Sequence, residues 1–207
     1  MIHHDKKFIF IHIPKTAGTS IERFFDPEHR IFYGWDEKHS LYMQHCTIKQ
    51  IRDLYNVDID SYFKFCVVRN PWSRAVSDWK WWIRADSPFR EQLKNTSLKD
   101  YLLSTNGYEN INHLNNMWGR GDHFRTQCEF TDIDNINKMD FVLKFENLQH
   151  DWKKLCDKLN IGNDKLPRAH VNQHGAPHYT EYYDQETREI VNQKFAADID
   201  RYDYQFE

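Results

Sequence analysis

Residues 8–20, FIFIHIPKTAGTS, carry the strongest structural signal in the chain. Residues 8–13 form an apolar run, rich in aromatic and β-branched side chains and interrupted only by His12. Such a run predicts a buried β-strand. Pro14 ends the strand, and Gly18 supplies the permissive backbone position of a tight turn. The stretch therefore predicts a strand followed by a sharp turn.

The turn leads into a helix that we expect over residues 21–25, with Thr19 or Ser20 as its cap. The free N–H groups at the start of this helix point back at the loop with a partial positive charge, and Lys15 adds a full one. The motif differs from the nucleotide-triphosphate loop GxxxxGK(S/T), because here the lysine precedes the single glycine. The stretch indicates an anion site; the alternative is an ordinary strand–turn–helix with a solvated lysine.

A second motif, CVVRNPWSRAVSDW, spans residues 66–79. It overlaps a nearly continuous apolar run, residues 61–68, that predicts an interior parallel strand. Arg69 follows this strand at once, and the Asn-Pro pair after it is a helix start signal. Ser77 lies about two helical turns into that helix. A guanidinium and a hydroxyl so placed suit a phosphate; the alternative is an arginine paired with carboxylates and a serine inside a helix.

The two motifs resemble those of the carbohydrate sulfotransferases, the group that includes heparan-sulfate 2-O-sulfotransferase. These enzymes use PAPS (3′-phosphoadenosine 5′-phosphosulfate) as the sulfuryl donor. The resemblance implies that Arg69 and Ser77 hold the 3′-phosphate of PAPS. It also implies that the loop wrapping the 5′-phosphosulfate consists of Lys15, Thr16, Ala17, Gly18, Thr19 and Ser20.

Similarity to this family extends beyond the two motifs. KFENL, residues 144–148, and the segment from residue 166 to the last tyrosines resemble further blocks of the family. In the family, a loop of that last segment closes over the nucleotide, which implies contacts from Arg168 and Asn172. The resemblance thus covers nearly the whole chain.

Transfer to a hydroxyl requires a base for the acceptor's proton, and histidine is suited to this near neutral pH. In the 2-O-sulfotransferase group, a histidine between the two motifs is the base. The resemblance implies His45 for this role, with His39 as the alternative, whereas His12 in the first strand is expected to be structural. Met43 stands where the animal enzyme has a second histidine. The resemblance further implies that Lys15 stabilises the bridging oxygen of the leaving phosphate.

Strands alternate with helices along the chain. We expect strands over residues 8–13, 61–68 and 141–145, a helix capped by Thr47, and a last helix over residues 184–202. This alternation predicts an α/β fold with a mainly parallel sheet flanked by helices and ligands at the carboxyl ends of the strands. Together with the resemblance it implies a three-layer, P-loop-like domain. The length of 207 residues predicts one domain over residues 1–207, and the resemblance implies that it is a sulfotransferase domain.

Composition excludes several other classes of protein. The net charge of -3 argues against a nucleic-acid-binding surface. The four cysteines are widely spaced without a CxxC pair, which favours buried reduced thiols over a zinc site or a disulfide framework. No strand ends in an acidic magnesium ligand of the Walker-B kind, so no metal is expected. No apolar stretch has the length of a signal peptide or membrane span, so we expect a cytoplasmic protein without a membrane anchor, unlike the Golgi-anchored animal enzymes.

These observations favour a PAPS-dependent sulfotransferase that acts on a hydroxyl-bearing acceptor, for which the family implies a carbohydrate. One alternative is a small-molecule kinase on a related P-loop fold, although the GK(S/T) order and an acidic magnesium ligand are missing. A second alternative is a catalytically silent nucleotide-binding domain. The sequence leaves the identity of the acceptor and the oligomeric state open, because function depends on the site rather than on the fold.

Overall fold

A computed structural model describes residues 1–28, 31–84, 91, 94–103, 122–162, 165–167 and 177–207. The chain divides into two compact units. The first unit comprises Met1–Arg69 and Gln127–Asn172, and the second comprises Asn70–Thr126 and Gln173–Glu207. A single domain over residues 1–207 stays a prediction.

The first unit is built on a four-stranded sheet in the order β1-β2-β5-β8. The strands of the described residues are β1 (Ile2–His3), β2 (Phe8–Ile11), β3 (Trp35–Asp36), β4 (Leu41–Tyr42), β5 (Phe63–Val68), β6 (Asp132–Ile133), β7 (Ile136–Asn137) and β8 (Phe141–Lys144). Strands β2, β5 and β8 are parallel, whereas the short β1 pairs antiparallel with β2. The prediction of an α/β fold with a mainly parallel sheet is confirmed.

Helices alternate with these strands in the first unit, and the described elements of the second unit are helical. The helices of the described residues are α1 (Gly18–Phe25), α2 (Ile48–Tyr55), α3 (Pro71–Ile83), α4 (Leu98–Leu103), α5 (Gln127–Thr131), α6 (Leu148–Lys158), α7 (Gln185–Lys194) and α8 (Ala196–Tyr202). The predicted cap of α2 is confirmed: the Thr47 side chain accepts a hydrogen bond from the Gln50 N–H, and the Gln50 side chain accepts one from the Thr47 N–H.

Aromatic side chains fill the core of the first unit. Phe8, Phe10 and Phe65 are completely buried, and the ring centroids of Phe10 and Phe65 lie 5.1 Å apart. Trp152 of α6 is also completely buried, with its ring 5.0 Å from that of Phe24 on α1. Each such side chain contributes roughly 1.5–3 kcal/mol through burial. Aromatic side chains therefore pair strand with strand and helix with helix in this core.

The second unit begins with α3, and its start is as predicted. The Asn70 side chain accepts a hydrogen bond from the Ser73 N–H, and Pro71 occupies the first helical position. The last helix, expected to be continuous over residues 184–202, is instead two helices, α7 and α8. Phe195 separates them because its ψ of 25° departs from helical geometry, while its carbonyl accepts from the N–H groups of Asp198 and Ile199 at the start of α8.

Two further features bear on the predictions. All four cysteines are free and buried, which confirms the expectation of buried thiols. Within the described ranges, none of the helices combines the length and the apolarity that crossing a bilayer requires.

A short hairpin follows α1 in the chain. Strands β3 and β4 pair antiparallel, with Trp35 opposite Tyr42. Gly34 precedes the hairpin with a φ of 95°, a backbone conformation that only glycine adopts easily.

Candidate functional site

The candidate site lies where the parallel strands β2, β5 and β8 end. Arg69 follows β5 directly, and its Nη1 donates a hydrogen bond to the Lys15 carbonyl over 3.1 Å. Its guanidinium carbon lies 4.2 Å from the centroid of the Phe145 ring, which follows β8. Three chain segments thus converge on one arginine, as expected of the carboxyl edge of a parallel sheet.

The loop between β2 and α1 turns through two left-handed residues. Lys15 has a φ of 69° and Ala17 a φ of 71°. The Thr16 hydroxyl between them is completely buried and donates to the Ile13 carbonyl over 2.8 Å. Left-handed conformations are uncommon for residues other than glycine and are concentrated at functional sites. The loop therefore has a defined backbone conformation, which the buried Thr16 hydroxyl helps to hold.

Helix α1 begins earlier than the sequence suggested. It starts at Gly18, with Ala17 as its N-cap residue and without a side-chain cap hydrogen bond. The predicted cap at Thr19 or Ser20 is therefore wrong, because both lie in the first helical turn. The reason is the tight pair of left-handed residues, which completes the turn before Gly18. The Ser20 N–H donates to the Ala17 carbonyl over 3.0 Å, and an anion site at the start of this helix stays a prediction.

Gly18 serves a different purpose from the one expected. It lies inside the helix, so the turn does not depend on its backbone freedom. A Cβ at this position would instead lie 2.0 Å from Cδ2 and 2.2 Å from Nε2 of His12. The glycine is required because the His12 ring packs directly against the start of the helix.

His12 is anchored by a buried partner on α1. His12 and Glu22 are 6% and 3% exposed, and His12 Nδ1 donates to Glu22 Oε1 over 2.9 Å. Burial alone raises the pKa of the Glu22 carboxyl, but the charge of His12 and this hydrogen bond outweigh it and hold that pKa below its usual value. An ionised Glu22 accepts only, which fixes the proton on His12 Nδ1. Sequence reasoning missed Glu22, which gives no signal beyond its place on the helix.

We expect Gly18→Ala to destabilise the protein by about 1–3 kcal/mol, as overpacking of a filled core does. The added Cβ cannot be absorbed cheaply, since the hydrogen bond to Glu22 holds the His12 ring. Urea unfolding followed by circular dichroism measures the change. Gly162→Ala is the matched control, because a Cβ there meets nothing within 4 Å. Equal stability of the two variants would contradict the proposed packing.

The two candidate bases have different surroundings. His45 ends a short 3-10 turn, Met43–His45, and its half-buried ring lies edge-on to His12 with 4.9 Å between centroids. His39 instead donates from Nδ1 to Asp36 Oδ2 over 2.8 Å, and its ring lies 5.3 Å from that of Tyr55. His45 therefore contacts the ring that packs against Gly18, whereas His39 belongs to the hairpin.

Of the three remaining predicted site residues, the structure describes one. Ser77 is half-buried on α3, in the second unit. Arg168 and Asn172 lie outside the described residues. Among the residues that the structure describes, no group of three or more His, Cys, Asp or Glu side chains is arranged to hold a metal ion.

Comparison with known proteins identifies a family. The model of a family described as the sulfotransferase family matches residues 1–205, nearly the whole chain. An uncharacterized protein of Archaeoglobus fulgidus is 28% identical over 104 residues, which cover 49% of this chain and 71% of that protein. No solved structure matches the chain.

Proposed function

The chain belongs to the sulfotransferase family, and we propose that it transfers the sulfuryl group of PAPS to a hydroxyl of an acceptor. One observation carries this proposal: Arg69 of the second motif donates to the Lys15 carbonyl of the first motif, 54 residues earlier in the chain. The two segments that the resemblance assigns to opposite ends of PAPS are thus joined at one edge of the sheet. A P-loop-like architecture is part of the same proposal.

The loop of residues 15–20 suits the 5′-phosphosulfate. The first turn of α1 presents backbone N–H groups, and Lys15 adds a cation just before that turn, on a backbone with a φ of 69°. In the proposed reaction these donors hold the 5′-phosphate, and the Lys15 ammonium neutralises the bridging oxygen as the S–O bond breaks. Arg69 and Ser77 hold the 3′-phosphate, as the resemblance implies.

The base of the proposed reaction is His45. It accepts the proton of the acceptor hydroxyl while the new O–S bond forms in line with the departing phosphate. Support comes from its contact with His12, which lies against Gly18 of the loop. The proposal assigns no metal, because a sulfuryl group carries less negative charge than a phosphoryl group, and a lysine with N–H groups can stabilise it.

The acceptor class follows from the resemblance alone. The family implies a saccharide or glycoconjugate hydroxyl, and we propose this class as the first to screen. Acceptor pockets are built from variable loops, so the choice among saccharides belongs to experiment.

Calorimetric binding of PAP, the desulfated product, tests the proposal. We expect PAP to bind more tightly than magnesium-ATP, and Arg69→Ala to weaken PAP binding by roughly 10- to 100-fold, the loss of one or two charge-assisted hydrogen bonds. Arg52→Ala is the control, because the hydrogen bonds of this α2 arginine within the described residues go to its exposed neighbour Asp53.

Each other outcome has a defined meaning. Preference for magnesium-ATP would contradict the proposal and favour a small-molecule kinase. Binding of neither nucleotide would favour a catalytically silent domain. If Arg69→Ala and Arg52→Ala changed PAP affinity equally, Arg69 would not belong to the binding site, although the proposal that the protein binds PAP would stand.

A further inference from the structure

The side chain of Gln127 makes a pair of hydrogen bonds to the backbone of Arg69. Its Oε1 accepts from the Arg69 N–H over 2.8 Å, and its Nε2 donates to the Arg69 carbonyl over 2.9 Å. Gln127 is the first residue of α5 and is completely buried. A residue in an antiparallel strand exchanges the same pair of bonds with its partner. The Gln127 side chain therefore takes the place of a neighbouring strand in the backbone hydrogen bonding of Arg69.

Arg69 needs this partner because the sheet ends before it. The last register pair between β5 and β8 is Val68 with Lys144. Arg69 is nevertheless 8% exposed, so its backbone N–H and carbonyl are removed from water. Buried backbone groups without partners cost about 1–3 kcal/mol each. Gln127 satisfies both groups and extends the order of β5 by one residue.

The position of the Arg69 backbone in turn decides where its guanidinium lies. The guanidinium bonds the Lys15 carbonyl at 3.1 Å and packs on the Phe145 ring. Lys15 is held with a φ of 69°, a conformation that costs an ordinary residue roughly 1–2 kcal/mol. A hydrogen bond to its carbonyl helps to keep the loop in that conformation. The contacts form a chain from Gln127 through Arg69 to Lys15.

We propose that Gln127 is a positioning residue for nucleotide binding, which holds Arg69 so that its guanidinium braces the loop of residues 15–20. This inference rests on the proposed function, since the loop is there taken to bind the 5′-phosphosulfate. Gln127 touches no part of PAPS in this role and acts only through Arg69. Both ends of the nucleotide then depend on the same arginine.

The test is a double-mutant cycle on PAP affinity by calorimetry. Gln127→Met keeps the volume of the side chain and removes both hydrogen bonds. We expect it to weaken PAP binding about tenfold in the wild-type background, the equivalent of roughly two lost hydrogen bonds. In the Arg69→Ala background the same change is expected to alter affinity less than about twofold, because the residue through which it acts is missing.

Thr131→Val is the matched control on the same helix. Thr131 is also completely buried, and its hydroxyl lies within hydrogen-bond distance of the Gln127 and Cys128 carbonyls and of Asp132 Oδ1. We expect this variant to lower the melting temperature and to leave PAP affinity unchanged. If Gln127→Met does not fold, Gln127→Glu, which keeps the acceptor and loses the donor, takes its place in the cycle.

Hydrogen exchange of the loop amides supplies a readout that does not need PAP. We expect the amides of residues 15–20 to exchange faster in Gln127→Met than in Thr131→Val. If wild type fails to bind PAP, the proposed function is wrong, and the exchange rates still decide whether Gln127 braces the loop. Equal losses of affinity in both backgrounds of the cycle, or equal exchange in the two variants, would overturn the positioning role.

Discussion

Lys15→Ala is expected to lower the rate of sulfuryl transfer by roughly 10²- to 10³-fold, the usual loss when one donor to developing charge is removed. In the proposed reaction the lysine ammonium neutralises the leaving phosphate as the S–O bond breaks. Alanine accepts the left-handed φ of 69° at a cost similar to that of lysine, since both carry a Cβ. The substitution therefore removes the amine and leaves the loop in place.

The rate is measured as PAP release from PAPS in the presence of a panel of saccharides, with the acceptor-free reaction subtracted. Lys49→Ala is the control, because it removes the same charge from an exposed position on α2 of the same unit. We expect full activity for the control and a much smaller effect of Lys15→Ala on PAP affinity than on the rate. A Lys15→Ala variant as active as Lys49→Ala would remove Lys15 from the chemistry.

The elements that the sequence predicted well are those set by local patterns. Strands β2 and β5 are the apolar runs of the two motifs; β2 ends two residues earlier than expected, and β5 begins two residues later than expected and ends where expected. The start of α3 is fixed by Asn70 and Pro71, whose capping chemistry is independent of the rest of the fold. The alternation of strands and helices is then enough to predict an α/β fold in which the carboxyl edge of the sheet lies beside Lys15 and Arg69.

The features that were missed depend on contacts between distant residues. Lysine and alanine do not signal a left-handed backbone, so the conformations of Lys15 and Ala17 could not be predicted. Gly18 was recognised, but its reason is the ring of His12, six residues earlier. Gln127 carries no pattern at all, because its hydrogen bonds to Arg69 arise only once β5 and α5 are packed. The contact of Phe145 with the site could have been predicted, because Phe145 lies at the end of the third strand, at the edge where ligands bind.

The resemblance to the family leaves two histidines as candidates for the base of the proposed reaction. The hydrogen bonds and ring contacts of these two histidines differ. His39 is hydrogen-bonded to Asp36, which also accepts from the Tyr55 hydroxyl, and these bonds lower the pKa of Asp36 to about 2. The imidazole of His39 thus has one nitrogen committed to the hairpin. His45 instead lies against the His12 ring, which packs against Gly18 of the loop. It is therefore the candidate base that contacts a residue packed on the loop.

His45→Ala is accordingly expected to lower sulfuryl transfer by roughly 10²- to 10⁴-fold, the range for loss of a general base, with little change in PAP affinity. A base acts only as the acceptor proton departs, so its removal lowers kcat and leaves nucleotide binding intact. His39→Ala is the matched control and is expected to retain most of the activity while weakening the hairpin. The same saccharide panel and calorimetric PAP titration measure both variants. If His39→Ala abolishes transfer and His45→Ala does not, the base belongs to the hairpin, and the contact between His45 and His12 is structural.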